Sequence, residues 1–269
     1  MSVLQEISPS VRNIKSMQYA ALALRAGQIR EELRQGVKKP YRQLVDLAWG
    51  DPHRAGVKPL TFVRQVVAAC LYPQLLDSDR LPADVRQRAQ SLLSECSYTD
   101  LPGIPQVAGQ ISEFITRRDG GVPSYTENIL ISPGSQWALQ NILSVLVHGG
   151  GDRAGRSGVL TPVPCHLTTI MSLVSLGGVP VPYYLNEEQG WELQVEELNR
   201  ALEAGKRVCD PVAIYIINPG NPSGQVQSRK CIQDVIRFAS EKRLFLLADE
   251  VYQDCVYRRT KNLCPIRGF

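Results

Sequence analysis

Two segments of this chain end hydrophobic runs in residues that could do chemistry. "VAIYIINPGNPSGQVQS", residues 212–228, finishes an apolar run with Asn218 and Asn221. "RLFLLADEVYQD", residues 243–254, finishes another with Asp249, Glu250 and Tyr252. Asn, Pro, Gly and Ser are turn formers, so "NPGNPSG" taken alone reads as a turn. Asp249 changes the balance, because a carboxylate at the end of a buried strand needs a cationic or hydrogen-bonding partner. An amide, a carboxylate and a phenol at neighbouring strand ends describe a rim that receives a polar ligand.

The elements that must position these groups follow from the pattern between residues 127 and 249. "NILIS", "SGVLTP", "VPVPYYL", "VAIYIIN" and "LFLLAD" read as strands. Between them "SQWALQNILSVLV", "LTTIMSLVSLG", "QVEELNRALEAG" and "QSRKCIQDVIRFASEKR" have helical periodicity. Short apolar strands alternating with amphipathic helices predict an α/β fold, a mostly parallel sheet with helices on both faces. Ligands of such sheets bind outside the carboxyl ends of the strands, where Asn221, Asp249 and Tyr252 fall. Before this lies helical material: residues 16–35, with Gly36 placed as a stop, and "TFVRQVVAACL".

Bulk properties narrow the class. A chain of 269 residues, 43% hydrophobic and 21% charged, has the composition of a soluble globular protein. Its 30 basic and 26 acidic residues, net +4, are too mixed to point to nucleic acid or a membrane surface as partner. No apolar run approaches the roughly 20 residues that cross a bilayer. Seven scattered cysteines with no CxxC pair suggest reduced thiols and no metal site. The N-terminus does not read as a transit peptide, so the cytoplasm is the expected location, with the mitochondrion as the alternative.

"INPGNPSGQV" and "RLFLLADEVYQDCVY", together with "EELRQGVKKPY", "GDPHRAGVKPLTFVRQV" and "RRDGGVP", resemble the class I/II, fold-type I, pyridoxal-phosphate-dependent aminotransferases, in their alanine branch. The resemblance implies a three-layer large domain, here incomplete, and pyridoxal 5'-phosphate as cofactor. It implies amino-group transfer between L-alanine and 2-oxoglutarate, giving pyruvate and L-glutamate, in a homodimer. By position, Asp249 matches the acid that pairs with the cofactor's ring nitrogen. Asn221 and Tyr252 match the pair that holds its phenolic oxygen. Ser135 and Gln136, in "SPGSQWAL", match the phosphate loop, where helix N-terminal N–H groups face an anion. Tyr98 matches the tyrosine reaching the partner subunit's phosphate, and Gly50 the glycine near the substrate carboxylate.

The chain departs from the pattern at four places. His166 stands where a tyrosine stacks on the ring, Trp49 replaces a smaller residue, and "GSQ" replaces "GAS". The fourth concerns the catalytic lysine, which the resemblance puts in a Ser-x-Ser-Lys segment well downstream of "DEVYQD". The only later lysine here is Lys261, in "RRTKNLCPIRGF", and it reads as a solvated surface residue. No catalytic residue is therefore assigned, and the chain alone is expected to be inactive. The alternative reading is a non-catalytic, cofactor-binding or dimer-interfering isoform. The expected organisation is an N-terminal helical segment at 1–95 (dimer arm and part of a small domain), a partial cofactor-binding large domain at 96–257, and a divergent tail at 258–269.

Overall fold

A computed structural model describes residues 18–45, 50, 52–53, 56–77, 79–93, 103–148 and 155–257. They fall into two compact units, one within Ser16–Val107 and one running from Ala108 onward.

The first unit is helical. Helix α1 (Gln18–Arg34) ends where Gly36 takes a φ of 80°. Val37 N–H donates to the Glu32 carbonyl at 2.9 Å and Gly36 N–H to that of Leu33 at 3.2 Å. This paired closure needs a left-handed residue after the last turn, which glycine supplies without steric cost. Helices α2 (Thr61–Leu71) and α3 (Ala83–Leu93) pack through Val66, Ala69, Val85 and Ala89. The alanines let the two backbones approach closely. Helix α3 was not foreseen, because the Asp- and Arg-rich composition of that stretch hides the Val85, Ala89, Leu92 stripe.

The second unit contains α4 from Ala108 (the helix spans Pro105–Arg118), then α5 (Ser135–Leu146), β1 (Ser157–Val163), α6 (Leu167–Ser175) and β2 (Val179–Tyr184). After these come α7 (Val195–Lys206), β3 (Asp210–Ile217), α8 (Arg229–Glu241) and β4 (Phe245–Asp249). The four strands form one parallel sheet in the order β2-β1-β3-β4. Leu160, Val181, Leu198, Leu202, Ile214 and Phe238 fill one face, under α7 and α8. Leu143, Val147, Val159, Leu173, Ala213 and Ile217 fill the other, under α5 and α6. The expected α/β layering is present, with helices on both faces.

The sheet edges differ. On β2, Tyr184 N–H donates to Glu197 Oε1 at 2.8 Å and Arg200 Nη2 to the Pro182 carbonyl at 3.0 Å, so α7 closes that edge. Pro180 and Pro182 further blunt it. Beyond β4 no strand pairs among the described residues. The expected strand "NILIS" does not form. Residues 129–132 are non-regular chain, with Leu130 73% and Ile131 44% exposed. Their apolar, extended pattern suits a strand, but a strand exists only by pairing, and no described strand lies alongside it.

Candidate functional site

Side chains alternate along β3, sending Ala213, Tyr215 and Ile217 to the α5/α6 face and Ile214 and Ile216 to the other. Ile217 pairs in register with Asp249 at the end of β4, and Asn218 N–H continues the ladder by donating to the Asp249 carbonyl at 3.0 Å. The ends of β3 and β4 are thus fixed against one another, with Asn218 buried and Asp249 half-buried. The Asp249 carboxylate accepts from the Tyr215 hydroxyl at Oδ2, 2.8 Å, and from Val251 N–H at Oδ1, 3.1 Å.

After Asn218 the chain does form the tight turn its composition suggests. Gly224 N–H donates to the Gly220 carbonyl and Gly220 N–H to that of Gln225. A Cβ at Gly220 would meet the end of the Gln225 side chain where it now lies. The Asn218 amide oxygen accepts from Gln227 N–H at 3.0 Å, while its Nδ2 has no partner among the described residues. Asn221 Nδ2 donates to the Tyr252 hydroxyl at 3.4 Å, so these two groups meet as the resemblance implies.

Helix α5 starts at a glycine. Gly134 has φ 130° and ψ 162°, and as N-cap it makes no side-chain hydrogen bond. The Ser132 hydroxyl, which could have capped the helix, instead donates to the Gly134 carbonyl at 2.9 Å. The first turn, with Ser135 and Gln136 exposed, therefore presents N–H groups that no side-chain cap covers. A cavity of about 310 Å³ is lined by Ser135 together with Leu139, Tyr215, Leu247, Asp249 and Val251. Asp249 and the start of α5 face one space. A larger cavity of about 620 Å³, between α7 and α8, includes none of the candidate residues.

His166 is the residue before α6, half-buried, with Nδ1 held by the Thr168 hydroxyl at 2.6 Å. Beside it, burial pushes the Cys165 thiol up to about 11, with the nearby Asp249 carboxylate adding to the rise. Gly50 lies in the helical unit at φ 55°. Tyr98, Trp49 and Lys261 lie outside the described residues. No cluster of potential metal ligands occurs among the described residues, and no described helix is long and apolar enough to cross a membrane.

Two contributors were missed by sequence reasoning. Tyr215 is one; a lone tyrosine within "VAIYII" was the available signal. Arg118 is the other. Its guanidinium binds Asp119 through Nε and Nη2, at 2.6 and 3.0 Å, and donates from Nη1 to Gln253 Oε1 at 2.8 Å.

A parallel α/β sheet with an acid at one strand end, an asparagine turn at the next and an uncapped helix N-terminus on the same cavity has the rim at which α/β proteins receive their ligands. Residues 25–266 match the family model for aminotransferase class I and II, and the chain belongs to that family. It is 44% identical over 262 residues to alanine aminotransferase 2 of Xenopus tropicalis, covering 95% of this chain and 50% of the relative. It is likewise 44% identical to human alanine aminotransferase 1 (94% and 52%) and 39% identical to glutamate–glyoxylate aminotransferase 1 of Arabidopsis thaliana (91% and 51%). The fold matches a solved alanine aminotransferase from Pyrococcus furiosus with a TM-score of 0.73 at 19% identity, over 97% of this chain and 56% of that one. The chain spans about half the length of the curated relatives it matches. The family is one of pyridoxal-phosphate enzymes.

Proposed function

We propose that this chain supplies the cofactor-ring half of an alanine-type aminotransferase site, which serves amino-group transfer between L-alanine and 2-oxoglutarate. The observation that carries the reading is Asp249, at the end of β4, sharing a cavity with the uncapped start of α5. A carboxylate and a set of free N–H groups across one space suit a ligand with a basic ring nitrogen and an anionic group. The cavity's 310 Å³ lies at the lower end of the range for small-ligand sites, about 300–1,000 Å³. These residues fit pyridoxal phosphate.

Asp249 would hold the proton on the ring nitrogen by a charge-assisted hydrogen bond. Asn221 and Tyr252, already paired, would donate to the phenolic oxygen, and Ser135 and Gln136 would give N–H groups to the phosphate. His166 would lie against the ring, its plane restrained by Thr168. Tyr98 would reach the phosphate bound by a second copy in a homodimer, and Gly50 would border the substrate carboxylate. When bound, the cofactor supplies an electron sink for the charge left on the amino acid's α-carbon. No residue of the 269 is assigned the family lysine's role. The cytoplasm is the proposed location.

The test is a titration of the purified chain with pyridoxal phosphate, followed by absorbance and quenching of tryptophan fluorescence. Saturable, reversible binding is expected. A single lysine trapped with the cofactor by borohydride and located by mass spectrometry would show instead that one of these lysines is a covalent anchor.

A further inference from the structure

One buried group is not used by the roles above. Tyr215, 2% exposed, sits on the α5/α6 face of β3 among Leu143, Leu173, Ala213 and Ile217. A phenylalanine would fill that space, and a hydroxyl carried into an apolar layer costs free energy unless it is bonded. Here it is bonded at both ends. It donates to Asp249 Oδ2 at 2.8 Å and receives the hydroxyl of Thr169, itself buried on α6, at 3.4 Å. The register places Tyr215 beside Leu247 and two residues short of Asp249, so the ring reaches diagonally across to the carboxylate. Val251 N–H holds the other oxygen at 3.1 Å.

From this geometry we infer that Tyr215 is a positioning residue for Asp249, its hydroxyl, relayed from Thr169, fixing the carboxylate that meets the cofactor's ring nitrogen. The inference rests on the cofactor reading above. An ionised carboxylate has about four lone-pair sites. Two are occupied from within the protein, from β3 and from the turn after β4, so rotation about the Asp249 side chain is restrained and the remaining sites point away from those donors. Removing the phenol frees the rotation of the carboxylate.

The experiment is a double-mutant cycle on the full 269-residue chain, with Tyr215→Phe, Asp249→Asn and the pair titrated with pyridoxal phosphate. Tyr215→Phe should weaken binding by about fivefold to tenfold, the order of one ordinary net hydrogen bond. In the Asp249→Asn background the same change should cost less than about twofold, because the two act as one unit. The pH at which the bound cofactor loses its ring proton, read from its absorbance, should move downward in Tyr215→Phe, because a carboxylate held less firmly stabilises that proton less, and loss of packing alone does not produce this. Additive losses, or a lower urea midpoint with affinity and pH profile unchanged, would overturn the inference. If Tyr215→Phe fails to fold, Thr169→Val decides: a weaker affinity supports the relay, and an unchanged one overturns it. A parent chain with no saturable binding, or binding indifferent to Asp249→Asn, overturns the cofactor reading and the inference with it.

Discussion

Arg118 Nη1 donates to Gln253 Oε1 at 2.8 Å, joining residues 135 positions apart in the sequence. The rest of the guanidinium grips Asp119, whose side chain is wholly buried, and Glu250 lies 3.7 Å from Nη1. The "RRDGG" segment at the end of α4 is thereby fastened to the turn that follows Asp249. Arg118→Ala should lower stability by about 2–4 kcal/mol, since it strands a buried carboxylate. Arg118→Lys should recover little, because an ammonium cannot bond two acceptor groups with a planar fork. Urea midpoints measure both. A loss below about 1 kcal/mol for Arg118→Ala, the scale of an exposed pair, would reduce the contact to surface decoration.

Asp249→Ala should weaken pyridoxal phosphate binding by about tenfold or more, the scale of a charge-assisted hydrogen bond. Ser223→Ala should change it by less than about twofold, because the Ser223 hydroxyl is spent on the Gln225 side chain within its own turn. Equal affinities for the two variants would remove the ring from Asp249.

Gly134→Ala meets no atom within 4 Å, so crowding predicts no penalty. Its φ of 130° and ψ of 162° predict one, because that region is open almost only to glycine. A loss of about 1–3 kcal/mol in thermal unfolding is expected, with weaker cofactor binding as the first turn of α5 shifts. An unchanged melting temperature would show that the backbone there relaxes freely.

Burial pushes the thiols of Cys165 and Cys231 up to about 11. At pH 8 only about one in a thousand of each is thiolate, the nucleophilic form. Among the five described cysteines, exposed Cys255 should therefore be alkylated well before Cys165 and Cys231, as read by peptide mass spectrometry. The sign for stability follows. A thiol whose folded value is raised stabilises the fold below the unfolded value near 9 and loses that contribution as pH rises from about 9 to 11. Urea midpoints at pH 8 and pH 10.5 should differ in that direction.

The 269-residue polypeptide, assayed by itself, should show no alanine–2-oxoglutarate transamination above background. Turnover that Lys261→Ala abolishes would assign the family lysine's role to Lys261.

Strand and helix alternation between residues 157 and 249 was legible because parallel strands covered by helices read as short apolar runs, most plainly β1 and β3, which are largely buried. The pairing of Asn221 with Tyr252, and the open start of α5, followed from residues that the resemblance had already singled out. "NILIS" misled for the opposite reason: local pattern specifies extended chain, while pairing is decided by what lies beside it. Tyr215 was hidden in the same way. Its type fits a strand core, and only the β3–β4 register shows that its hydroxyl ends on Asp249. Arg118 and Gln253 meet across too much sequence for any spacing rule to join them.

Strand β4 carries Asp249 at its end and has no strand partner along its outer side among the described residues. On the cofactor reading, the same backbone would take part in two equilibria, binding of the cofactor at Asp249 and any strand pairing along that side. Linkage makes them reciprocal: whatever factor strand pairing contributes to cofactor affinity, the cofactor returns to strand pairing. A peptide or chain segment added along β4 should tighten pyridoxal phosphate binding to the extent that the cofactor tightens its own docking. The two dissociation constants, measured with and without the other ligand, must close a thermodynamic square.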